Sequence, residues 1–172
     1  DMVALGDMLS IEDVVEIFYR VQQQIPAKLL LVGDGPERMK AEQLCRELGI
    51  SHDVRFLGKQ DAVGELLAVT DLFLMPSESE SFGLAALEAM ACEVPVISSN
   101  AGGIPEMNIN GKTGFMSDVG DVEDMAKNAL YILNDKERLQ EFRTNALNQA
   151  KRFDIGNIIP LYEQYYQKVL DN

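Results

Sequence analysis

The sequence predicts an α/β domain in which a parallel sheet is buried between two layers of helices. Three observations carry this. Short apolar runs recur at 28–32, 54–57, 72–75 and 95–98, each too brief for a buried helix. Between them lie stretches of helical periodicity, such as Ile11, Val14, Val15, Phe18 and Val21 on one stripe. Each run ends in a glycine-rich, proline or polar turn: Gly33-Asp34-Gly35-Pro36, Gly58-Lys59-Gln60, or Pro76 and the serines after it. Strands that alternate with helices form βα units, and such sheets are covered on both faces.

Taken in order, residues 1–9 carry no clear pattern, and 2–5 read as a short or truncated strand. Ser10 caps the first helix, with Asp13 at N3, and Pro26 ends it. After the strand at 28–32, Pro36 is placed for the first position of a helix carrying Met39, Cys45 and Leu48, which stops at Gly49. The strand at 54–57 follows, and Asp61 is read as the cap of a helix bearing Val63, Leu66 and Leu67. The strand at 72–75 leads through a polar turn into a Leu/Ala/Met/Glu helix from Leu84. A strand at 95–98, a glycine-rich exit at 100–106 and a last strand at 114–116 come next. Asp121 and Asp135 each cap a helix, and a final helix carries Ile158, Tyr162, Tyr165 and Val169, with Pro160 in its first turn or at a kink. The whole chain, 1–172, thus reads as one Rossmann-like three-layer domain.

Composition excludes several classes of function. At 172 residues and 47% apolar content the chain can bury a sizeable core. Fifteen basic against 28 acidic residues give a net charge of -13, which argues against nucleic-acid or anionic-membrane partners. No signal peptide, membrane-length apolar run or lipidation motif occurs, so the expected compartment is the cytoplasm. Cys45 and Cys92 have no metal-ligand spacing and read as packed thiols. No metal ligand cluster is evident, and no metal or other cofactor is expected. His52 lies in a polar loop, and the contiguous Ser51-His52-Asp53 is not a triad. No G-x-G-x-x-G is completed after the strand at 28–32, so a dinucleotide site is not indicated.

The chemistry concentrates at Ser77 to Pro95. Here a strand exits through a polar turn into a helix N-terminus, which is where α/β sheets bind ligands and where free amides favour anions. Glu80 precedes the helix, and Glu88 lies one turn inside it on the side of Leu84. Carboxylates beside amide donors suit sugar hydroxyls, although spacing alone equally fits a solvated Glu80 and a surface Glu88. Glycines in the exits at Gly33, Gly35, Gly58 and Gly83 permit close backbone approach, and all the exits should converge on one cleft.

Glu80-Ser-Phe-Gly-Leu-Ala-Ala-Leu-Glu88 resembles the E-x7-E element of family GT4, the retaining GT-B glycosyltransferases. Val32-Gly33-Asp34-Gly35-Pro36, Phe56-Leu57-Gly58-Lys59-Gln60, Ala91-Cys92-Glu93-Val94-Pro95 and Gly102-Gly103-Ile104-Pro105-Glu106 continue the pattern in order. The resemblance implies the donor-binding C-terminal half of a GT-B fold, with UDP-sugar as substrate. Glu88 would hold the ribose, and Glu80, the residue assigned a catalytic part, would meet the hexose. Ser81 and the backbone of Phe82, Gly83 and Leu84 would meet hexose or diphosphate, with Gly33 and Gly35 beside the donor and Gly58, Lys59 and Gln60 at the base. Within the family the wording is most like that of enzymes moving N-acetylglucosamine from UDP-N-acetylglucosamine to L-malate in bacillithiol synthesis. Alone, the chain is expected to be inactive, because the acceptor-binding N-terminal domain is missing; its exposed inter-domain face could self-associate.

Two departures stand out. The family's phosphate-binding Arg and Lys would fall within residues 5–10, which contain no basic residue. Glu93 stands where the family usually has Gly. The first departure keeps open a non-catalytic sugar-nucleotide-binding module, and another GT4 transferase or a nucleotide-sugar epimerase also fits the fold.

Overall fold

The computed structural model describes residues 2–5 and 10–154. The helix expected over Ile158, Tyr162, Tyr165 and Val169 lies outside them. Among the described residues, six parallel strands form one sheet in the order β3-β2-β1-β4-β5-β6. They are β1 (Met2–Leu5), β2 (Leu29–Val32), β3 (Val54–Gly58), β4 (Leu72–Met75), β5 (Val96–Ser99) and β6 (Gly114–Ser117). The α-helices are α1 (Ile11–Gln22), α2 (Arg38–Glu47), α3 (Val63–Ala68), α4 (Leu84–Ala91), α5 (Ile104–Met107), α6 (Val122–Leu133) and α7 (Lys136–Ala150). The Rossmann-like expectation is met.

Strand residues alternate between two apolar layers, as the pleat requires. Met2, Ala4, Leu29, Leu31, Leu72, Leu74 and Ile97 pack with α1, α2 and α6. Val3, Phe73, Met75 and Val96 pack with α4, α5 and α7. β4 is buried along its length, consistent with its unbroken apolar run. β1, the strand least evident in the sequence, lies between β2 and β4 at the point where the strand order reverses.

Several local expectations hold. Ser10 Oγ accepts from the Asp13 amide at 3.3 Å. The Asp121 carboxylate takes the Asp124 amide at 3.0 Å, and Asp135 takes the amides of Glu137 and Arg138. Others are corrected. α2 begins at Arg38, so Pro36 precedes it by two residues and belongs to the turn. Met39 is 77% exposed, because the buried stripe of α2 runs through Ala41 and Cys45. Asp61 does not cap α3; Ala62 holds that position, and no side chain caps the helix. The exit after β5 contains a helix, α5, with Pro105 in its first turn. Thr113 is fully buried: its hydroxyl donates to Asn108 Oδ1 at 2.9 Å, and Asn108 Nδ2 donates to Ser98 Oγ at 2.9 Å. This network fastens the turn before β6 to β5. No helix among the described residues is long and apolar enough to cross a membrane.

Candidate functional site

Neighbouring strand exits are tied together along the carboxyl edge of the sheet. The Gly33 amide donates to the Gly58 carbonyl at 2.9 Å, joining the exits of β2 and β3. Across the reversal point, the Ser10 amide donates to the Pro76 carbonyl at 3.1 Å. The Gly103 amide donates to the Glu80 carbonyl at 3.2 Å, joining the exits of β4 and β5. These bonds hold loops that would otherwise wander on the surface.

The β4–α4 turn carries the two carboxylates. Gly83 is buried at the N-cap of α4 with φ +85, in the left-handed region where glycine is favoured. A Cβ there would lie 2.3 Å from Met107 Cε, so the tip of that flexible side chain would have to shift. Glu80 is half-buried, and its Oε1 accepts from the Gly83 amide at 3.1 Å. Glu88 is exposed, and Leu84 one turn before it is 65% exposed. Ser81 is exposed, whereas the Phe82 ring meets the Phe153 ring edge-on with centroids 5.7 Å apart. Phe82 thus anchors the turn by its side chain.

A separate cleft of about 320 Å³ opens over the exits of β1, β2 and β3. Its floor includes Ile11, Val14, Leu31 and Phe56, and its rim includes Gly33, Gly35, Arg38 and Lys59. The Arg38 guanidinium lies 5.6 Å from the Phe56 ring centroid and bonds to Glu42 at 2.9 Å. Gly33, Gly35 and Lys59 line this cleft, while Glu80, Ser81, Phe82, Gly83, Leu84 and Glu88 lie on the β4–α4 turn. The Gly58 carbonyl is taken by Gly33, and the Gln60 amide folds back onto the Leu57 carbonyl at 2.6 Å. In strand order, β2 and β3 lie on one side of β1 and β4 on the other, so these exits flank the reversal point. Phe56 was quoted only as part of the family pattern, without a role, and Arg38 was not singled out; the signal available for it was an arginine three residues after Gly35.

The far end of α4 bears on Glu93. Its amide donates to the Met90 carbonyl at 3.1 Å, and the Val94 amide donates to the Ala89 carbonyl at 3.0 Å. That pair of bonds is the Schellman termination, whose central residue is left-handed. Glu93 has φ +63, so a glutamate occupies a glycine conformation. Burial pushes the Cys92 thiol above its ordinary pKa, helped by the charge of Glu88, and burial does the same to Cys45. Both thiols are therefore poor nucleophiles. Among the described residues no group of three or more His, Cys, Asp or Glu could hold a metal ion.

Residues 4–149 match the family described as glycosyl transferases, group 1. The chain belongs to the group 1 glycosyl transferases. Among related proteins, N-acetyl-alpha-D-glucosaminyl L-malate synthase of Bacillus anthracis is 46% identical to this group 1 chain over 161 residues, 93% of the chain and 42% of that protein. Sulfoquinovosyl transferase SQD2 of Arabidopsis thaliana is 33% identical over 150 residues, 85% of the chain and 29% of that protein. HepE of Anabaena, solved in complex with UDP, superposes with a TM-score of 0.85 at 25% identity, covering 99% of the chain and 48% of HepE. The C-terminal domain of LpcC, a group 1 protein of Francisella tularensis, shares the fold with a TM-score of 0.80 at 19% identity, covering 90% and 86%. The group 1 chain thus spans less than half the length of these curated relatives.

Proposed function

We propose that this chain is the donor-binding half of a retaining GT-B glycosyltransferase and that its donor is a UDP-sugar. The observation that carries the reading is the β4–α4 turn, where a left-handed Gly83 opens a helix between Glu80 and Glu88 beside the point of strand reversal. Exposed Glu88 receives the ribose hydroxyls, and Glu80 reaches the hexose. Ser81 and the amides of Phe82, Gly83 and Leu84 meet hexose or diphosphate, with the positive end of α4 behind them. Gly33 and Gly35 admit the donor closely, and Gly58, Lys59 and Gln60 lie toward the base. In the reaction the bond from the anomeric carbon to the diphosphate breaks through an oxocarbenium-like transition state, and the acceptor oxygen bonds on the same face. The part of this chain is to stabilise the departing diphosphate with oriented amides, without a metal. The identity to N-acetyl-alpha-D-glucosaminyl L-malate synthase supports UDP-N-acetylglucosamine as donor and L-malate as acceptor. The acceptor site belongs to a second half, so this chain alone binds donor without turning it over.

A second reading, a sugar-nucleotide-binding module without catalysis, is favoured by one observation: residues 5–10 contain no Arg or Lys. Two missing charge-assisted contacts would weaken diphosphate binding by about 1.5–3 kcal/mol each. Calorimetric titration with UDP-N-acetylglucosamine and UDP-glucose, for the native chain and for Gly6→Arg/Leu9→Lys, tests both. Tighter binding of the N-acetylated donor supports the assignment, and equal binding of the two removes it. A large gain in the double variant favours the weakened module.

A further inference from the structure

We propose that Phe153, just past the end of α7, is a positioning residue for the donor: its ring fixes Phe82 and so holds the β4–α4 turn where that turn meets diphosphate and hexose. The inference rests on the UDP-sugar reading above and adds to that site a residue far from it in sequence.

One flank of the turn is held through its backbone. The Gly103 amide donates to the Glu80 carbonyl at 3.2 Å, and a Cβ on Gly103 would stand 2.4 Å from the Ser81 carbonyl. These contacts fix the carbonyls of Glu80 and Ser81 against the exit of β5. Between them and Leu84, which opens α4 and is 65% exposed, stand Phe82 and Gly83. Gly83 has no side chain, so side-chain packing at this point falls to Phe82. Its half-buried ring meets that of Phe153 with centroids 5.7 Å apart and planes at 71°. Aromatic pairs prefer this edge-to-face geometry over a face-to-face sandwich.

Phe153 is a firm point to lean on. It ends the 3-10 helix Lys151–Phe153 that continues α7, and it packs against the apolar layer formed by β4, α4 and α7. α7 is itself fastened at the opposite end of β4. There the Arg143 guanidinium donates to the Thr70 carbonyl at 3.2 Å and to the Asp71 carboxylate at 2.7 Å, immediately before β4 begins at Leu72. Ala146 and Ala150 are buried in the same layer as Ala86, Ala89 and Met90 of α4. α7 therefore runs from the start of β4 to the turn beyond its end and delivers Phe153 to Phe82.

The two carboxylates of the turn depend on this brace differently. Glu88 rides on α4, whose buried face stays packed in that layer when the Phe153 ring is lost. Ser81 and the amides of Phe82 and Gly83 precede the helix and lose their lateral support. A displacement of about 1 Å is enough to spoil oriented contacts. The defect thus falls on the diphosphate and not on the ribose.

The test is the ratio of UDP to uridine affinity, by calorimetry, for the native chain and for Phe153→Ala, Phe153→Tyr and Phe142→Leu, with thermal unfolding of each. Phe142 lies on α7 as well, but it stacks on Phe115 with centroids 5.5 Å apart in the other apolar layer. Phe153→Ala should lower the ratio about three- to tenfold by weakening UDP, and Phe153→Tyr, which keeps the ring, should stay within about twofold of native. Phe142→Leu should lose stability and keep its ratio. Phe82→Ala should lower the ratio too, and adding Phe153→Ala to it should bring no further loss, because the two rings act as one unit. Phe153→Leu, which fills space without a ring edge, gives the same reading if Phe153→Ala does not fold. A less stable Phe153→Ala with the native ratio shows packing alone and overturns the inference. So does an equal fall in Phe142→Leu, or a fall in Phe153→Tyr as large as that in Phe153→Ala. Equal binding of UDP and uridine by the native chain removes the donor reading and this inference with it, whereas a native preference for UDP that survives in Phe153→Ala removes only the part given to Phe153.

Discussion

Gly102 sits against the carbonyl of Glu80 so closely that a methyl group on it would lie 1.6 Å from that oxygen. Gly102 also has φ +56, so its conformation and its surroundings both require glycine. Gly102→Ala should destabilise the fold by about 2–5 kcal/mol, combining backbone strain with overpacking. It should also displace the β4–α4 turn. Urea unfolding followed by circular dichroism reads the first effect; a variant as stable as the parent would mean that the two exits are not packed as described.

Glu93 presents the opposite case, a side chain where glycine would serve better. α2 ends in the same bond pattern, with Gly49 at φ +73 and the Ile50 amide donating to the Cys45 carbonyl at 3.0 Å. Replacing Glu93 by Gly should therefore raise stability by about 1 kcal/mol, and Gly49→Ala should lower it by about the same amount. Thermal unfolding of the pair gives opposite shifts if both helices end this way. A loss of stability in Glu93→Gly would show that the side chain contributes something that its conformation does not reveal.

Asp135 links stability to pH. The amide of Arg138, followed by the charge of Arg138 and the amide of Glu137, holds its carboxyl below the ordinary value of 3.8. A depressed pKa in the folded state means that the ionised form is preferred there. The stabilisation is thus complete above the unfolded value and declines as pH falls through it toward the lower folded value. Asp135→Asn should unfold more easily than the parent at pH 6 and differ little from it near pH 2. A gap that stays constant over that range would argue against a role for the charge.

The buried Asn108 network should be costly to break. Asn108→Ala removes the acceptor of the Thr113 hydroxyl at 2.9 Å, leaving it the Ile109 amide and carbonyl, and the donor to Ser98 Oγ, inside a fully buried site. A loss of about 2–4 kcal/mol is expected from the unsatisfied groups and the cavity, read by chemical unfolding. A loss below about 1 kcal/mol would mean that the turn before β6 does not depend on it.

Much of this was legible in the sequence where pattern and physics agree. The four-residue run at β4 could hardly be anything but a buried strand, and Ser10, Asp121 and Asp135 stand where caps must stand. The E-x7-E turn was singled out by its resemblance to the family, since spacing alone fits a solvated Glu80 and a surface Glu88 equally well. What escaped was set by contacts distant in sequence. β1 was read over the same residues only as a short or truncated strand, and its place in the sheet, between β2 and β4, is set by pairing. Thr113 acquires its role only once Asn108 is folded beneath it. Asp61 has the chemistry of a cap, but the backbone turns at Ala62 instead. The bond between Glu80 and Gly83 is local, yet the sequence points Glu80 at a ligand and gives no hint that the carboxylate serves its own helix.

Metal removal gives a further check on the chemistry proposed for the diphosphate. If oriented amides at the start of α4 receive it, UDP affinity measured in EDTA should equal that in magnesium buffer within about twofold. A marked dependence on magnesium would transfer that part to an ion.

The measurement that goes most directly to the central claim is a calorimetric comparison of UDP with uridine on this chain, repeated with Glu88→Ala. UDP should bind at least about tenfold more tightly than uridine, the increment of one charge-assisted contact, and Glu88→Ala should weaken both ligands by removing the ribose contact. Equal and negligible binding of UDP and uridine by a folded chain, unchanged by the substitution, would contradict the assignment of the β4–α4 turn as a nucleoside-diphosphate site.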